Sequence, residues 1–374
     1  MKYYFDNAAT TPLSQDVKEY LISMLDVFGN PSSSHSKGIN SKRLIENTRE
    51  KTAWFINADS SDSIYFTSSG SASNTLGIQG FALLNRCTIL HPKTLHKSAL
   101  KTIEALSKYH NTNSSVLEVD SCGNIKLDYL TNKLQSDSQK LVVLSYANSE
   151  IGTIQNVREI THIVHKYNGK VFVDCTGSIS SIPLDVTELD VDMASFSAHK
   201  IGALKGVGVL YKKKDVELAP LIYGSQEQGL FGGTENLLGI LSLGKAIDLI
   251  KYDKTSYSRN FVWNNIKNID GVYLVGSPLR ENRLSNNLYI CVKGVNGGNL
   301  AALMDDVFKT QISTGSACNN GSSTPPPILL AIGVKQEDVH SCIRISFSGN
   351  EKQEDLQRLC DNLTTSIEML RENI

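Results

Sequence analysis

Short apolar runs rich in β-branched residues recur along this chain, each closing on small or polar residues and separated by stretches with helical apolar spacing. Residues 63–67, 87–91, 115–119, 141–145, 171–174, 192–197 and 207–211 read as strands. Helical spacing covers residues 15–28 and 42–57 ahead of the first strand, and 95–109 and 157–167 between later ones. Strands alternating with helices predict an α/β fold with a mainly parallel sheet covered by helices. Between residues 237 and 269 the pattern turns strongly helical, weakest at 251–257. The tail then mixes strands (287–292, 343–347) with helices (300–308, 354–370), as a smaller α+β domain would. We therefore expect a large domain over residues 13–250 and a small one built from residues 1–12 and 251–374.

Composition narrows the class of function. Lys+Arg 37 against Asp+Glu 38 leaves a formal charge of -1, without the basic excess that nucleic acid or an anionic membrane requires. No run approaches the roughly 18 apolar residues of a membrane span, and Met1-Lys-Tyr-Tyr-Phe-Asp6 is too polar for a signal peptide. The seven cysteines are scattered and form no C-x-x-C pair, so the expectation is a reduced, cytoplasmic protein without a disulfide framework or a metal site.

The run Ser195-Phe-Ser-Ala-His-Lys-Ile-Gly202 ends a predicted strand, where α/β proteins place chemistry. Lys200 there offers an amine for a Schiff base, although a lone lysine at a loop edge is more often a solvated charge. Three other segments bear on it. Thr67-Ser-Ser-Gly-Ser-Ala-Ser-Asn74 puts small residues, Gly70 and Ser71 among them, between a strand and a helix, as a phosphate cradle does. Asp174 closes an apolar strand, and a buried acid there needs a cationic partner, such as the protonated ring nitrogen of pyridoxal 5'-phosphate (PLP), or else serves as a cap or loop ion pair. Cys318 lies in a polar loop rich in Gly, Ser and Asn, in contrast to the apolar runs around most other cysteines, which makes it a candidate reactive thiol.

Set in order, Tyr4-Phe-Asp-Asn-Ala-Ala-Thr-Thr-Pro12, Thr94-Leu-His96, Asn148-Ser-Glu-Ile-Gly152, Val173-Asp-Cys-Thr176, Ser197-Ala-His-Lys200, Gly233-Thr-Glu-Asn236, Gly315-Ser-Ala-Cys318 and Ile343-Arg-Ile-Ser346 resemble the cysteine desulfurases of the NifS/IscS-like group. These belong to the class V aminotransferases, with the PLP-dependent transferase fold type I, and the resemblance runs nearly end to end. It implies that Lys200 anchors PLP and then moves protons, that Asp174 keeps the ring nitrogen protonated, and that His96 stacks on the ring and helps move protons. Gly70, Ser71, Ser197 and His199 would hold the phosphate, and Thr234 would reach the phosphate of a second copy in a homodimer. Asn148 would face the phenolic oxygen and the substrate, Arg344 would clamp the substrate carboxylate, and Cys318 would take sulfur from L-cysteine as a persulfide for a sulfur-acceptor protein in iron–sulfur cluster assembly or thio-modification. The same fold admits a lyase acting on selenocysteine or cysteine sulfinate, or a degenerate binding protein. Departures from the pattern are Gly177 in place of Gln, Ala72 in place of an acid, Ala203-Leu204 in place of Gly-Pro, and Gln228 and Phe231 in place of Arg.

Overall fold

The computed structural model describes residues 3–136, 138–252, 256–280, 282–314 and 326–372. In chain order its strands are β1 (Tyr3–Tyr4), β2 (Ile64–Thr67), β3 (Thr88–Pro92), β4 (Ser114–Leu117), β5 (Lys140–Ser145), β6 (Lys170–Asp174), β7 (Met193–Ser197), β8 (Gly208–Lys212), β9 (Val272–Leu274), β10 (Asn287–Val292), β11 (Thr310–Gln311) and β12 (Cys342–Ser346). The helices are α1 (Gln15–Met24), α2 (Ser36–Phe55), α3 (Gly70–Asn85), α4 (Lys97–His110), α5 (Leu127–Leu134), α6 (Val157–Lys166), α7 (Leu237–Leu249), α8 (Ser256–Ile266), α9 (Gly297–Asp306), α10 (Pro327–Ala331) and α11 (Gln353–Glu372). Every strand read from the pattern is present within two residues. The second helix starts six residues earlier than its apolar spacing suggests. His35 caps it there, its Nδ1 accepting the Gly38 amide, so the polar run before residue 42 is helix start and not loop.

The large sheet has the order β2-β8-β7-β6-β5-β3-β4. Pairs from β4 through β7 are parallel, while β8 runs antiparallel to both β7 and β2. Side-chain direction alternates along each central strand, so Val142, Leu144, Val171 and Val173 enter one core while Leu141, Val143 and Phe172 enter the other. Helices α2, α6 and α7 cover the first face and α3 and α4 the second, which is why the central strands are continuously apolar. A separate three-stranded antiparallel sheet, β12-β10-β9, packs against α8, α9 and α11 through Leu288, Ile290, Ile343 and Ile345. The N-terminal arm pairs β1 with β11, bridges Asp6 to Ser346, and then crosses to the large sheet, where the Thr11 amide donates to the His199 carbonyl.

Among the described residues no helix is long and apolar enough to cross a membrane. Of the described cysteines, five are buried and Cys122 is half-buried, and none is paired in a disulfide.

The seat of α3 on the sheet depends on one glycine. A Cβ at Gly77 would lie 2.3 Å from Cε2 of the buried Phe172 on β6. Gly77→Ala overpacks that contact and should lower stability by about 1–3 kcal/mol. Urea unfolding checks this, and an unchanged midpoint would show that α3 is not held by this approach.

Candidate active site

Strands β5, β6 and β7 end side by side, with Ser145 opposite Asp174 and Asp174 opposite Ser195 in the register. Helix α3 begins beside these ends, its first turn capped by Ser69, whose Oγ accepts the Ala72 amide. A cavity of about 360 Å³ lies in the angle between them, lined by Gly70, Ser71, His96, Asn148, Asp174, Ser197, His199 and Lys200 among others. Eight of the residues expected to act on cofactor therefore meet in one place.

Asp174 is 3% exposed, and its two oxygens accept from the Thr176 amide at 2.9 Å and Asn74 Nδ2 at 2.8 Å. Among the described residues no cation pairs with it. Asn74 also donates to Ser98 Oγ at 2.9 Å, and Ser98 Oγ lies 2.7 Å from His96 Nδ1. His96 is the exposed N-cap of α4, its Nδ1 accepting the Ser98 amide at 3.2 Å.

Lys200 stands in the turn after β7. Its Nζ donates to the carbonyls of Ala8 (2.5 Å) and Ala9 (2.9 Å) in the N-terminal arm. The same arm holds His199, whose Nδ1 lies 3.0 Å from Thr10 Oγ1. Burial, with Lys200 and Lys205 nearby, pushes the His199 imidazole down to about 4. Lys205 lines the cavity as well.

At the first turn of α3, a Cβ on Gly70 would stand 3.1 Å from Ser197 Cβ and 3.2 Å from Thr176 Oγ1, so a side chain there would crowd that wall. The Thr176 hydroxyl is buried there without a hydrogen-bond partner. An orphaned hydroxyl, a helix N-terminus and two lysines fit an anion. The buried Asp174, which meets no cation among the described residues, fits a ring N–H. The residues present therefore suit PLP.

The remaining expected residues differ in how far they are free to reach a ligand. Asn148 lines the cavity, but its Oδ1 accepts the Glu150 and Ile151 amides and its Nδ2 donates to the Thr94 carbonyl, leaving one Nδ2 hydrogen for a ligand. Arg344 does not line the cavity. Its guanidinium, 3% exposed, donates to Asp6 Oδ1 at 2.7 Å and to the carbonyl of Ser149 at 3.2 Å, one residue behind the wall. Glu150, on that wall, is raised above the usual carboxylate range by burial, which nearby Arg344 opposes. Thr234 is exposed and outside this cavity. Cys318 lies outside the described residues.

The Gly177 departure has a local cause. A Cβ there would sit 2.6 Å from the Ala147 carbonyl, so glutamine does not fit on this backbone. Sequence reasoning missed Asn74, Ser98, Thr176 and Lys205 as site residues. Asn74 had a readable signal, since it follows Gly70 by four residues and so shares its helical face.

The aminotransferase class-V family profile matches residues 3–359. The chain is 39% identical to "Cysteine desulfurase IscS" of Dictyoglomus turgidum over 98% of this chain and 95% of that protein. It is 34% identical to "Cysteine desulfurase IscS 1" of Archaeoglobus fulgidus over 98% of this chain and 97% of that one. Among solved structures, a "NifS-like protein" superposes with a TM-score of 0.89 at 33% identity, covering 99% of both chains.

The His199 shift yields a test. Between about 4 and the ordinary 6.5 the unfolded chain carries a proton at this residue that the folded chain lacks. Stability from this site therefore rises with pH through that window and is lost as pH falls through it. In cofactor-free protein the His199 ring protons should titrate near the lower end, and Lys205→Gln or added inorganic phosphate should move the midpoint up. A midpoint at the ordinary value, indifferent to both, would contradict the electrostatics described.

Proposed function

The chain belongs to the aminotransferase class-V family, which uses PLP, and from that membership we propose that it is a cysteine desulfurase acting on L-cysteine. The observation that carries this reading is the convergence of Lys200, Asp174 and the Gly70 cradle on one cavity, in a chain whose likeness to named desulfurases is full-length.

PLP bound here would supply an electron sink for charge developing at the substrate α-carbon. Asp174 would hold its ring nitrogen; Gly70, Ser71, Thr176, Ser197 and His199 would hold its phosphate, and Lys200 would anchor it. The rest falls to the chain's own groups. Lys200 Nζ exchanges its bonds with Ala8 and Ala9 for the cavity, and takes the substrate α-proton once its anchor role is released. Positioned proton transfer of this kind contributes about 10²–10⁴ in rate. Arg344 orients the substrate carboxylate through the Ser149 wall, its bond to Asp6 giving way to a second carboxylate. The Cys318 thiolate attacks the substrate sulfur: its electron pair forms the S–S bond while the carbon–sulfur pair stays with the β-carbon, which takes up the proton that the substrate thiol gives up, and Lys200 returns the α-proton to Cα. The products are L-alanine and a Cys318 persulfide, for delivery to a sulfur-acceptor protein. A homodimer would bring the exposed Thr234 of each copy toward the other's phosphate.

Supplied with PLP, L-cysteine and a thiol reductant, the protein should release alanine and sulfide. Lys200→Ala should lower turnover by at least about 10²-fold. Mass spectrometry after L-cysteine treatment should find one added sulfur on the Cys318 peptide. Unchanged sulfide release from Cys318→Ala would remove the persulfide step.

A further inference from the structure

We propose that Asn74, acting through Ser98, is a positioning residue that fixes the tautomer of His96 and the placement of Asp174 together. This rests on the reading of the cavity as a PLP site and goes beyond it by assigning the two residues that tie its ring-nitrogen side to its ring-face side. The inference follows from counting donors. An Asp174 carboxylate accepts only, so the Asn74 amide must turn its NH₂ toward it and not its oxygen. That NH₂ has a second hydrogen, which goes to Ser98 Oγ. Asn74 Oδ1 faces the other way and accepts from Ser195 Oγ, which leaves the amide no freedom to flip. The Ser98 oxygen accepts from Asn74, and its proton goes to His96 Nδ1, 2.7 Å away, because that nitrogen already presents its lone pair to the Ser98 backbone amide. The Ser98 backbone amide points at the same nitrogen. Nδ1 thus receives two donors and carries no proton, and the proton of the neutral ring sits on Nε2.

The chemical consequence concerns the roles at the cavity. A histidine with Nδ1 occupied and Nε2 protonated offers a hydrogen-bond donor and a ring face, and has no nitrogen open to take a proton. The base for the α-proton is then Lys200 alone, which narrows the proton-moving role that the resemblance gives His96. Asn74 is 1% exposed and sits one helical turn after Gly70, so α3 carries the cradle and this tie on one rigid element.

The tautomer measurement uses the full chain without cofactor or substrate, so its outcome does not depend on which reaction the protein catalyses. Histidine ¹⁵N spectra at neutral pH, with His96 assigned by His96→Gln, should show one Nε2–H tautomer in the parent protein. Ser98→Ala should yield a mixture of tautomers, and Ser98→Thr, which restores the hydroxyl, should return to one. Asn74→Leu should mix the tautomers and also weaken PLP binding by about tenfold, the scale of one hydrogen bond to a charged group. A merely structural role would lower stability in these variants and leave the tautomer alone. If Asn74→Leu does not fold, the Ser98 pair decides. An Nδ1–H signal in the parent protein, or a single tautomer retained in Ser98→Ala, overturns the proposal. Absence of alanine production with the tautomer pattern as expected would instead sink the desulfurase reading.

Discussion

A carboxylate buried at the end of a central strand has to be supplied with donors, and most of this site can be understood as the supply for Asp174. Its strand lies between two parallel neighbours, so its backbone is fixed and its side chain is enclosed on both sides. Two N–H groups from the protein meet it, and among the described residues no cation does. An ionised acid so placed is costly unless a cationic or strongly donating group arrives. A pyridinium N–H has that character. Asn74 brings α3 into register with this requirement, and because Gly70 precedes it by one turn, the anion end of the cavity stands about 6 Å further along the helix axis. The two ends of the cavity are spaced by helix geometry and not by a flexible loop.

The N-terminal arm adds a second constraint. Residues 6–11 touch the Arg344 guanidinium, the Lys200 amine and the His199 ring in turn. These three groups stand on two elements, Lys200 and His199 in the turn after β7 and Arg344 on β12. One short segment therefore holds the Lys200 amine, the His199 ring and the Arg344 guanidinium in a common frame. The same arm bridges Asp6 to Ser346 on β12 and donates from Thr11 to the His199 carbonyl after β7, so it ties the Arg344 and Lys200 side chains to the three-stranded and the seven-stranded sheet alike.

Much of this was legible before any coordinates. The apolar runs marked the sheet because strands buried on both faces have no polar side to interrupt them, as in Leu141-Val-Val-Leu144. Lys200, Asp174 and Gly70 were legible because chemistry at strand ends leaves a charged or small residue beside an apolar run. What stayed hidden was geometry of small polar groups. Ser98 and Thr176 have no pattern of their own, since a serine near a helix start serves as a cap in most proteins. The antiparallel course of β8 was equally hidden, because its burial resembles that of a parallel strand. Arg344 was expected at the substrate carboxylate from the resemblance alone; its bond to Asp6, a partner 338 residues away, is one that spacing along the chain does not reveal.

The central claim is that Lys200 is the amine this cavity presents to PLP. Its most direct test is borohydride reduction of the PLP-loaded protein followed by peptide mapping of the stable pyridoxyl adduct. The structure predicts a single adduct on Lys200, lost in Lys200→Ala. An adduct on Lys205, the other lysine on the cavity wall, or no site-specific adduct at all, would contradict it.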